Sequence, residues 1–210
     1  FLVAREVKAL VIACNVSTAV ALAAAQESYH IPVYGLINRH SIGAILAAAP
    51  GGRVGLLATT GTVNSGAYRR ALTAHHPGVQ LTAVPCPKFV PLIERCACTG
   101  SAAQAAVAEY LAPLQAARAE VAILGCTHYP FLRPLIAQAA GAMTVFDPAL
   151  ATVEHIREQL ALRNLLNRQT HGTTSYYVSG AHDCFRQFVA AQLGREPAAE
   201  RMHALPVTAG

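Results

Sequence analysis

Hydrophobic and polar positions follow one alternating pattern along the whole chain. Short apolar runs flanked by glycine, proline or polar residues alternate with longer, alanine-rich segments. Such runs are typical of strands covered on both faces, and the longer segments are typical of helices. The pattern predicts strands at 9–13, 32–36, 54–58, 81–84, 121–124, 144–146 and 175–178. It predicts helices at 17–29, 41–49, 64–75, 88–96, 101–117, 132–140, 149–166 and 183–193. We therefore expect an α/β fold with parallel sheets built from β-α-β units.

One strand-to-helix junction occurs twice in the sequence. Residues 8–15 have the sequence KALVIACN and residues 121–128 the sequence VAILGCTH, so each apolar run ends in a small residue, a cysteine and polar groups. Cys14 and Cys126 thus follow two predicted strands, 112 positions apart (126 − 14). Ligands bind outside the carboxyl ends of the strands in open parallel sheets. The repeat predicts two parallel-sheet α/β lobes with an active site in the cleft between them.

The composition excludes several classes of protein. Hydrophobic residues make up 53% of the 210 residues and charged residues 13%, which excludes a disordered chain. No apolar run approaches the about 18 residues that a membrane-spanning helix needs. The net charge of +5 is scattered, with Arg69 and Arg70 as the only adjacent basic pair, and there is no tryptophan. We expect neither a nucleic acid nor a membrane as a partner.

The six cysteines bear on compartment and on metal binding. The chain opens without a long apolar leader, so the sequence predicts a cytoplasmic protein with reduced thiols. Cys86, Cys96 and Cys98 lack the paired C-x₂₋₄-C spacing of zinc sites, and Cys184 stands alone in the last predicted helix. We predict that these four cysteines are structural, and we expect no metal.

Cys14 and Cys126 suit proton transfer at a carbon centre. Each lies near a predicted helix N-terminus, where the helix dipole and free N–H groups favour a thiolate. One thiolate can remove a proton from one face of a carbon, and an opposing thiol can return a proton to the other face. A pyridoxal racemase would need a Schiff-base lysine. The only lysines are Lys8, which leads into a strand, and Lys88, between a proline and a phenylalanine, so we expect no cofactor.

The residues around both cysteines resemble a known family. The segments 13–15 (ACN) and 124–130 (LGCTHYP) are similar to the two signatures of glutamate racemases, in the cofactor-independent aspartate/glutamate racemase superfamily. The threonine-rich segment 55–68, the segment 86–94 and the segment 175–180 are also similar to stretches of that family. The resemblance extends from about residue 7 to about residue 194.

The resemblance implies an activity and a set of site residues. The activity is interconversion of L- and D-glutamate, which supplies D-glutamate for peptidoglycan. Cys14 and Cys126 would be the two acid/base thiols, His128 would assist Cys126, and Glu94 matches a family carboxylate near the second thiol. The positions matching substrate-contacting residues are Asn15, Val16, Thr59, Thr62, Thr127 and His128, with Val16 standing where the family usually has threonine.

The family also implies how the lobes divide the chain. The expected first lobe comprises 1–39 and 147–194, the second comprises 40–146, and 195–210 form a tail. The family begins with a strand ending in Asp-Ser-Gly, which precedes its first catalytic cysteine and has no counterpart here. We therefore expect an N-terminally truncated chain with an incomplete first lobe, whose open sheet edge a second copy could cover in a homodimer.

Three other functions stay open. The chain could racemise aspartate or another acidic amino acid, or decarboxylate one as other members of the superfamily do. It could also be a truncated, non-catalytic remnant that serves as a binding or assembly module. The complete signature at 125–130 favours glutamate racemisation, and the missing Asp-Ser-Gly element favours the remnant.

Overall fold

The protein folds into two compact units. The computed structural model describes residues 1–167, 169, 172–180, 182–194, 196–198 and 202–205. The first unit comprises Phe1–Ile93 and Ala97–Leu166, and the second comprises Glu94–Cys96 and Asn167–Gly210.

Strands and helices alternate along the described chain. The strands are β1 Leu10–Ile12, β2 Val33–Gly35, β3 Arg53–Ala58, β4 Gln80–Pro85, β5 Val121–Gly125, β6 Thr144–Phe146, β7 Tyr176–Val178 and β8 Met202–Ala204. The helices are α1 Asn15–Ser28, α2 Arg39–Ala47, α3 Thr60–Ser65, α4 Ala67–His75, α5 Phe89–Glu94, α6 Ser101–Ala116, α7 Arg133–Ala140, α8 Pro148–Leu162 and α9 His182–Leu193. Short 3₁₀ turns occupy Val3–Arg5 and Tyr129–Leu132.

Every strand that the sequence predicts is present, and two predictions need correction. The helix predicted at 64–75 is two helices, α3 and α4, because Gly66 between them has a left-handed φ of 65°. The strand β8 was not predicted, and it lies in the segment 195–210 that was expected to be a tail. The division into lobes at 1–39 plus 147–194 and 40–146 stays a prediction.

All described strand pairs are parallel, which confirms the α/β expectation. In the first unit β1 pairs with β2, and a four-stranded sheet has the order β4-β3-β5-β6. In the second unit β7 pairs with β8. The strands β3 and β5 are central and almost wholly buried, and Ala58 at the end of β3 pairs with Gly125 at the end of β5. The residues that follow these two strands therefore emerge side by side at one sheet edge.

The first unit's core lies between the four-stranded sheet and its helices. Ile42 and Ile45 of α2 and Leu72 of α4 are buried against Leu56 of β3 and Ile123 of β5. No helix among the described residues has the length and apolar character that crossing a membrane would require.

Asn38 joins the β2–α2 junction to α8. Its Oδ1 accepts a hydrogen bond from the Ser41 N–H at 2.9 Å, and the Ser41 hydroxyl accepts one from the Asn38 N–H at 3.1 Å. Its Nδ2 donates to the Gly35 carbonyl at 2.8 Å and to Thr152 Oγ1 at 2.9 Å. One side chain thus caps α2 and fixes α8 beside it.

Replacing Asn38 is expected to destabilise the first unit in two steps. Asn38→Ala removes the cap and both donated bonds, so we expect the free energy of unfolding to fall by about 2–3 kcal/mol. Asn38→Ser keeps a good capping oxygen and loses the amide donors, so its loss should be about half as large. Urea denaturation measures both variants. If Asn38→Ser matched the parent chain, the bond to Thr152 would contribute nothing.

Candidate active site

Cys14 lies at the junction between β1 and α1. It is exposed and occupies the N-cap position of α1, so its thiol stands at the positive end of the helix. The turn is held from behind by Thr18, whose hydroxyl donates to the Ile12 carbonyl at 2.9 Å and accepts from the Leu36 N–H at 3.2 Å. Because Thr18 is buried, these bonds fix where α1 begins relative to both strands.

Asn15, the first residue of α1, is buried and hydrogen-bonded to Tyr68 of α4. The Tyr68 hydroxyl donates to Asn15 Oδ1 at 2.7 Å. Burial, together with the negative charge of Asp147, raises the pKa of Tyr68, so its hydroxyl stays protonated and keeps donating. The Asn15 amide nitrogen is buried and finds no hydrogen-bond partner among the described residues. It is a donor that a ligand oxygen can satisfy.

Cys126 follows the buried strand β5 and is half-buried. Gly125 before it has no room for a side chain, since a Cβ would lie 2.7 Å from a Leu56 methyl and 3.0 Å from the Leu57 carbonyl oxygen. His128 Nδ1 lies 3.8 Å from Cys126 Sγ. The 3₁₀ turn that follows places the Tyr129 N–H 3.1 Å from the Cys126 carbonyl oxygen. Strand, glycine and turn together position this thiol.

A threonine pair lies at the end of β3. Thr59 is the N-cap of α3, and its Oγ1 lies 3.0 Å from Thr62 Oγ1 and 3.4 Å from the Thr62 nitrogen. Thr62 is buried and Thr59 is half-buried, so Thr62 orients the hydroxyl of Thr59. A Cβ at Gly61 would lie 3.1 Å from Val16 Cγ2, which shows that α3 packs against the first turn of α1.

These segments bring the two cysteines together. Thr59 and Cys126 follow the paired residues Ala58 and Gly125 and therefore stand next to each other. The contact between Val16 and Gly61 brings the first turn of α1 to the same edge. Cys14 is near enough to Cys126 for its negative charge to raise the pKa of Cys126. The structure thus groups Cys14, Asn15, Val16, Thr59, Thr62, Cys126 and His128.

The two thiols have opposite tendencies to ionise. The buried part of Cys14 opposes its charge, but hydrogen bonds from the Ser17 hydroxyl and from the N–H groups of Ser17 and Val16 hold the pKa of Cys14 below its ordinary value. Burial raises the pKa of Cys126; the His128 N–H opposes this, and the charge of Cys14 raises the pKa further. The arrangement favours one thiolate and one thiol, which is what proton removal and return require.

The remaining candidate residues from the sequence differ in their exposure and in the unit to which they belong. Thr127 is exposed and follows Cys126 directly. Glu94 is exposed, ends α5 and falls in the second unit, so its catalytic role stays a prediction. Cys86 is buried, and burial raises its pKa to about 12, which agrees with the structural role predicted for it. The side chain of Cys184 lies outside the described residues.

Sequence reasoning missed Tyr68 and Asp147 as parts of this site. Tyr68 is 53 positions from the asparagine that it bonds, and no local motif links them. Asp147 caps α8 by accepting from the Ala149 N–H at 2.9 Å, a role that an aspartate before a proline does signal. Ser17 also belongs to the site, because its hydroxyl hydrogen-bonds the Cys14 thiol.

The rate of proton transfer is expected to follow a bell-shaped pH profile. If Cys14 is the base and Cys126 the acid, kcat/KM should rise as pH increases through the lowered pKa of Cys14 and fall as pH passes the raised pKa of Cys126. Ser17→Ala removes a hydroxyl that stabilises the thiolate, so the rising limb should move to higher pH while the falling limb stays. Ser28→Ala, at the other end of α1, is the control. An unmoved rising limb in Ser17→Ala would contradict the assignment.

Comparisons with known proteins decide the family. The profile of the Asp/Glu/hydantoin racemase family matches residues 2–156. The chain belongs to this family. A glutamate racemase of Levilactobacillus brevis is 40% identical over 194 residues, which cover 91% of this chain and 70% of that protein. This membership confirms the expectation of an amino-acid racemase.

Solved structures of racemases have the same fold. Glutamate racemase of Francisella tularensis, crystallised with D-glutamate, has a TM-score of 0.87 at 30% identity and covers 99% of this chain and 76% of its own. A glutamate racemase isoform of Bacillus anthracis also has a TM-score of 0.87, at 28% identity, covering 96% of this chain and 74% of its own. The resemblance to glutamate racemases is thereby confirmed.

Proposed function

We propose that this racemase interconverts L- and D-glutamate with Cys14 and Cys126 as its two acid/base groups and without a cofactor. The observation that carries the proposal is a pair of thiols at neighbouring segments of the site whose pKa values are shifted in opposite directions. A thiolate at Cys14 removes the α-proton from one face of the substrate. The thiol of Cys126 then donates its proton to the other face, and the reverse direction exchanges these roles.

The amide and hydroxyl groups of the site suit an anionic amino acid. Thr59 presents a hydroxyl at the N-terminus of α3, where helix N–H groups also favour negative charge. The buried Nδ2 of Asn15 offers a donor to a carboxylate oxygen. These donors support an acidic substrate, and the names of the relatives, one of them crystallised with D-glutamate, support glutamate.

His128 would hold the second thiol in place. Its Nδ1 is 3.8 Å from Cys126 Sγ, so the ring can orient that thiol and exchange a proton with it. Thr127, beside it, would contact the substrate from the exposed side. The α-proton of an amino acid is weakly acidic, so donors around the carboxylate must stabilise the negative charge that develops on proton removal.

The wider role follows from this activity. D-glutamate supply for peptidoglycan is the purpose we propose, in the cytoplasm, where both thiols stay reduced. We also propose that two copies of this chain form a homodimer. Racemisation of aspartate is the alternative that the same carboxylate donors would allow.

Racemisation after exhaustive dialysis tests the proposed function. The purified protein, dialysed against a chelator, should interconvert the glutamate enantiomers at the rate of the undialysed protein, followed by circular dichroism. L-aspartate in a parallel reaction should turn over much more slowly. The proposal is wrong if activity disappears on dialysis and returns with pyridoxal phosphate or a metal, or if aspartate is the faster substrate.

A further inference from the structure

A second cluster of chemically capable side chains lies away from the thiols, between α2 and α8. His155 and Glu158 are three positions apart on α8 and so share one face of that helix. His40, in the first turn of α2, faces them. One nitrogen of each histidine and one oxygen of Glu158 all lie within 4.8 Å of one another. His155 is half-buried and Glu158 is exposed, so the cluster opens to solvent on one side.

The donor set is that of a transition-metal site. Two imidazole nitrogens and one carboxylate oxygen bind zinc with one position left for water, at bond lengths of about 2.0–2.2 Å. Donor atoms around a tetrahedral ion are then about 3.4 Å apart, so small side-chain rotations suffice to close the present spacing. The two rings are already stacked, with centroids 5.5 Å apart and planes 21° apart.

The surrounding structure holds these groups in place. The bond from Asn38 to Thr152 fixes α2 against α8 close to the cluster. Tyr34 lies edge-on to His155, with ring centroids 6.1 Å apart, and its buried hydroxyl has no hydrogen-bond partner in the part of the chain that the structure describes. A cavity of about 320 Å³ beside the cluster is lined by Tyr34, Asn38 and His155.

We propose that His40, His155 and Glu158 form a binding site for one divalent transition-metal ion, zinc above all. The site does not depend on the proposed racemisation. Asp147 is the residue of the α8 end whose charge acts on Tyr68 of the thiol site, and His155 lies eight positions, or about 12 Å, farther along the helix. A bound ion would connect α2 to α8 through side chains from both helices. Metal binding is therefore expected to raise the melting temperature of the protein, because the ion binds only the folded arrangement.

Zinc titration of the chelator-treated protein tests this site. Calorimetry should show one zinc ion bound at a site other than the two thiols. Zinc should also raise the melting temperature of the protein. His40→Gln and His155→Gln should each weaken this binding by at least about a hundredfold. Loss of a group that only hydrogen-bonds a metal ligand already lowers metal affinity by about 10–100-fold. Glu158→Gln should weaken it less, since an amide oxygen can still approach the ion.

A matched variant and a spectroscopic probe separate this site from the cysteines. His75→Gln removes an exposed histidine whose ring bonds the Ala71 carbonyl of its own helix, and it should bind zinc like the parent chain. Cobalt(II) held by imidazole and carboxylate gives weak visible bands, whereas thiolate ligands add strong near-ultraviolet charge transfer. The proposal is overturned if both histidine variants keep the parent affinity, or if every bound cobalt ion shows thiolate charge transfer.

Discussion

Removing either thiol is expected to stop racemisation in both directions. General acid/base groups each contribute about 10²–10⁴-fold, and racemisation needs one group on each face of the carbon, so neither Cys14→Ala nor Cys126→Ala should retain more than about 1% of the parent rate. The site offers no substitute base at Cys14, because its neighbours Asn15 and Ser17 do not ionise near neutral pH. Polarimetry with each glutamate enantiomer measures the loss.

The two variants should differ when only one proton transfer is needed. A glutamate analogue that expels a leaving group after removal of its α-proton needs one base, so each variant should still process the enantiomer whose proton faces its remaining thiol. The preferences of Cys14→Ala and Cys126→Ala should be opposite. Cys96→Ala, which removes an exposed thiol, is the control and should behave like the parent chain. Equal preferences in the two variants would refute the two-thiol assignment.

Gly125→Ala is expected to damage both stability and catalysis. A Cβ there would lie 2.9 Å from Ala58 Cβ and 3.0 Å from the Leu57 carbonyl oxygen, and neither atom can rotate away. The central strands β3 and β5 would have to separate, so we expect the free energy of unfolding to fall by about 1–3 kcal/mol. Displacing Cys126 by even about 1 Å would lower kcat by about 10²-fold. Urea denaturation and racemisation rates measure the two effects.

Gly43→Ala provides the matched control for that prediction. Gly43 lies inside α2, and a Cβ at this position meets nothing within 4 Å. Alanine should therefore stabilise the helix by about 0.5–1 kcal/mol and leave the racemisation rate unchanged. If Gly125→Ala proved as stable and as active as Gly43→Ala, the close packing of β3 against β5 would not be what positions Cys126.

The sequence predicts those parts of the site that rest on local pattern. An apolar run ending in a cysteine is enough to place Cys14 and Cys126 at strand ends, because a short apolar run followed by polar residues is a local pattern. The start of α3 at Thr60 was missed, because its capping depends on the side chain of Thr59 turning back onto Thr62. The strand β8 was missed because a run of three residues, one of them a histidine, carries too little pattern.

Interactions between distant segments could not be predicted. The bond between Tyr68 and Asn15, and the stacking of His40 on His155, depend on helix packing that no spacing in the chain encodes. The raised pKa of Cys126 is also a tertiary property, because it arises from burial at the end of β5 and from the charge of Cys14. The lowered pKa of Cys14, by contrast, rests on hydrogen bonds from its chain neighbours Ser17 and Val16.

The exposure of Cys14 has a consequence for chemical damage. An electrophile or oxidant arriving from solvent meets a thiolate-prone sulfur at Cys14 before it reaches the half-buried, protonated Cys126. Thiolates are the reactive form toward peroxide, and oxidation beyond the sulfenic acid is not readily reversed. The lowered pKa that would equip Cys14 to act as the proposed base would therefore also make it the first position at which oxidative stress inactivates the protein.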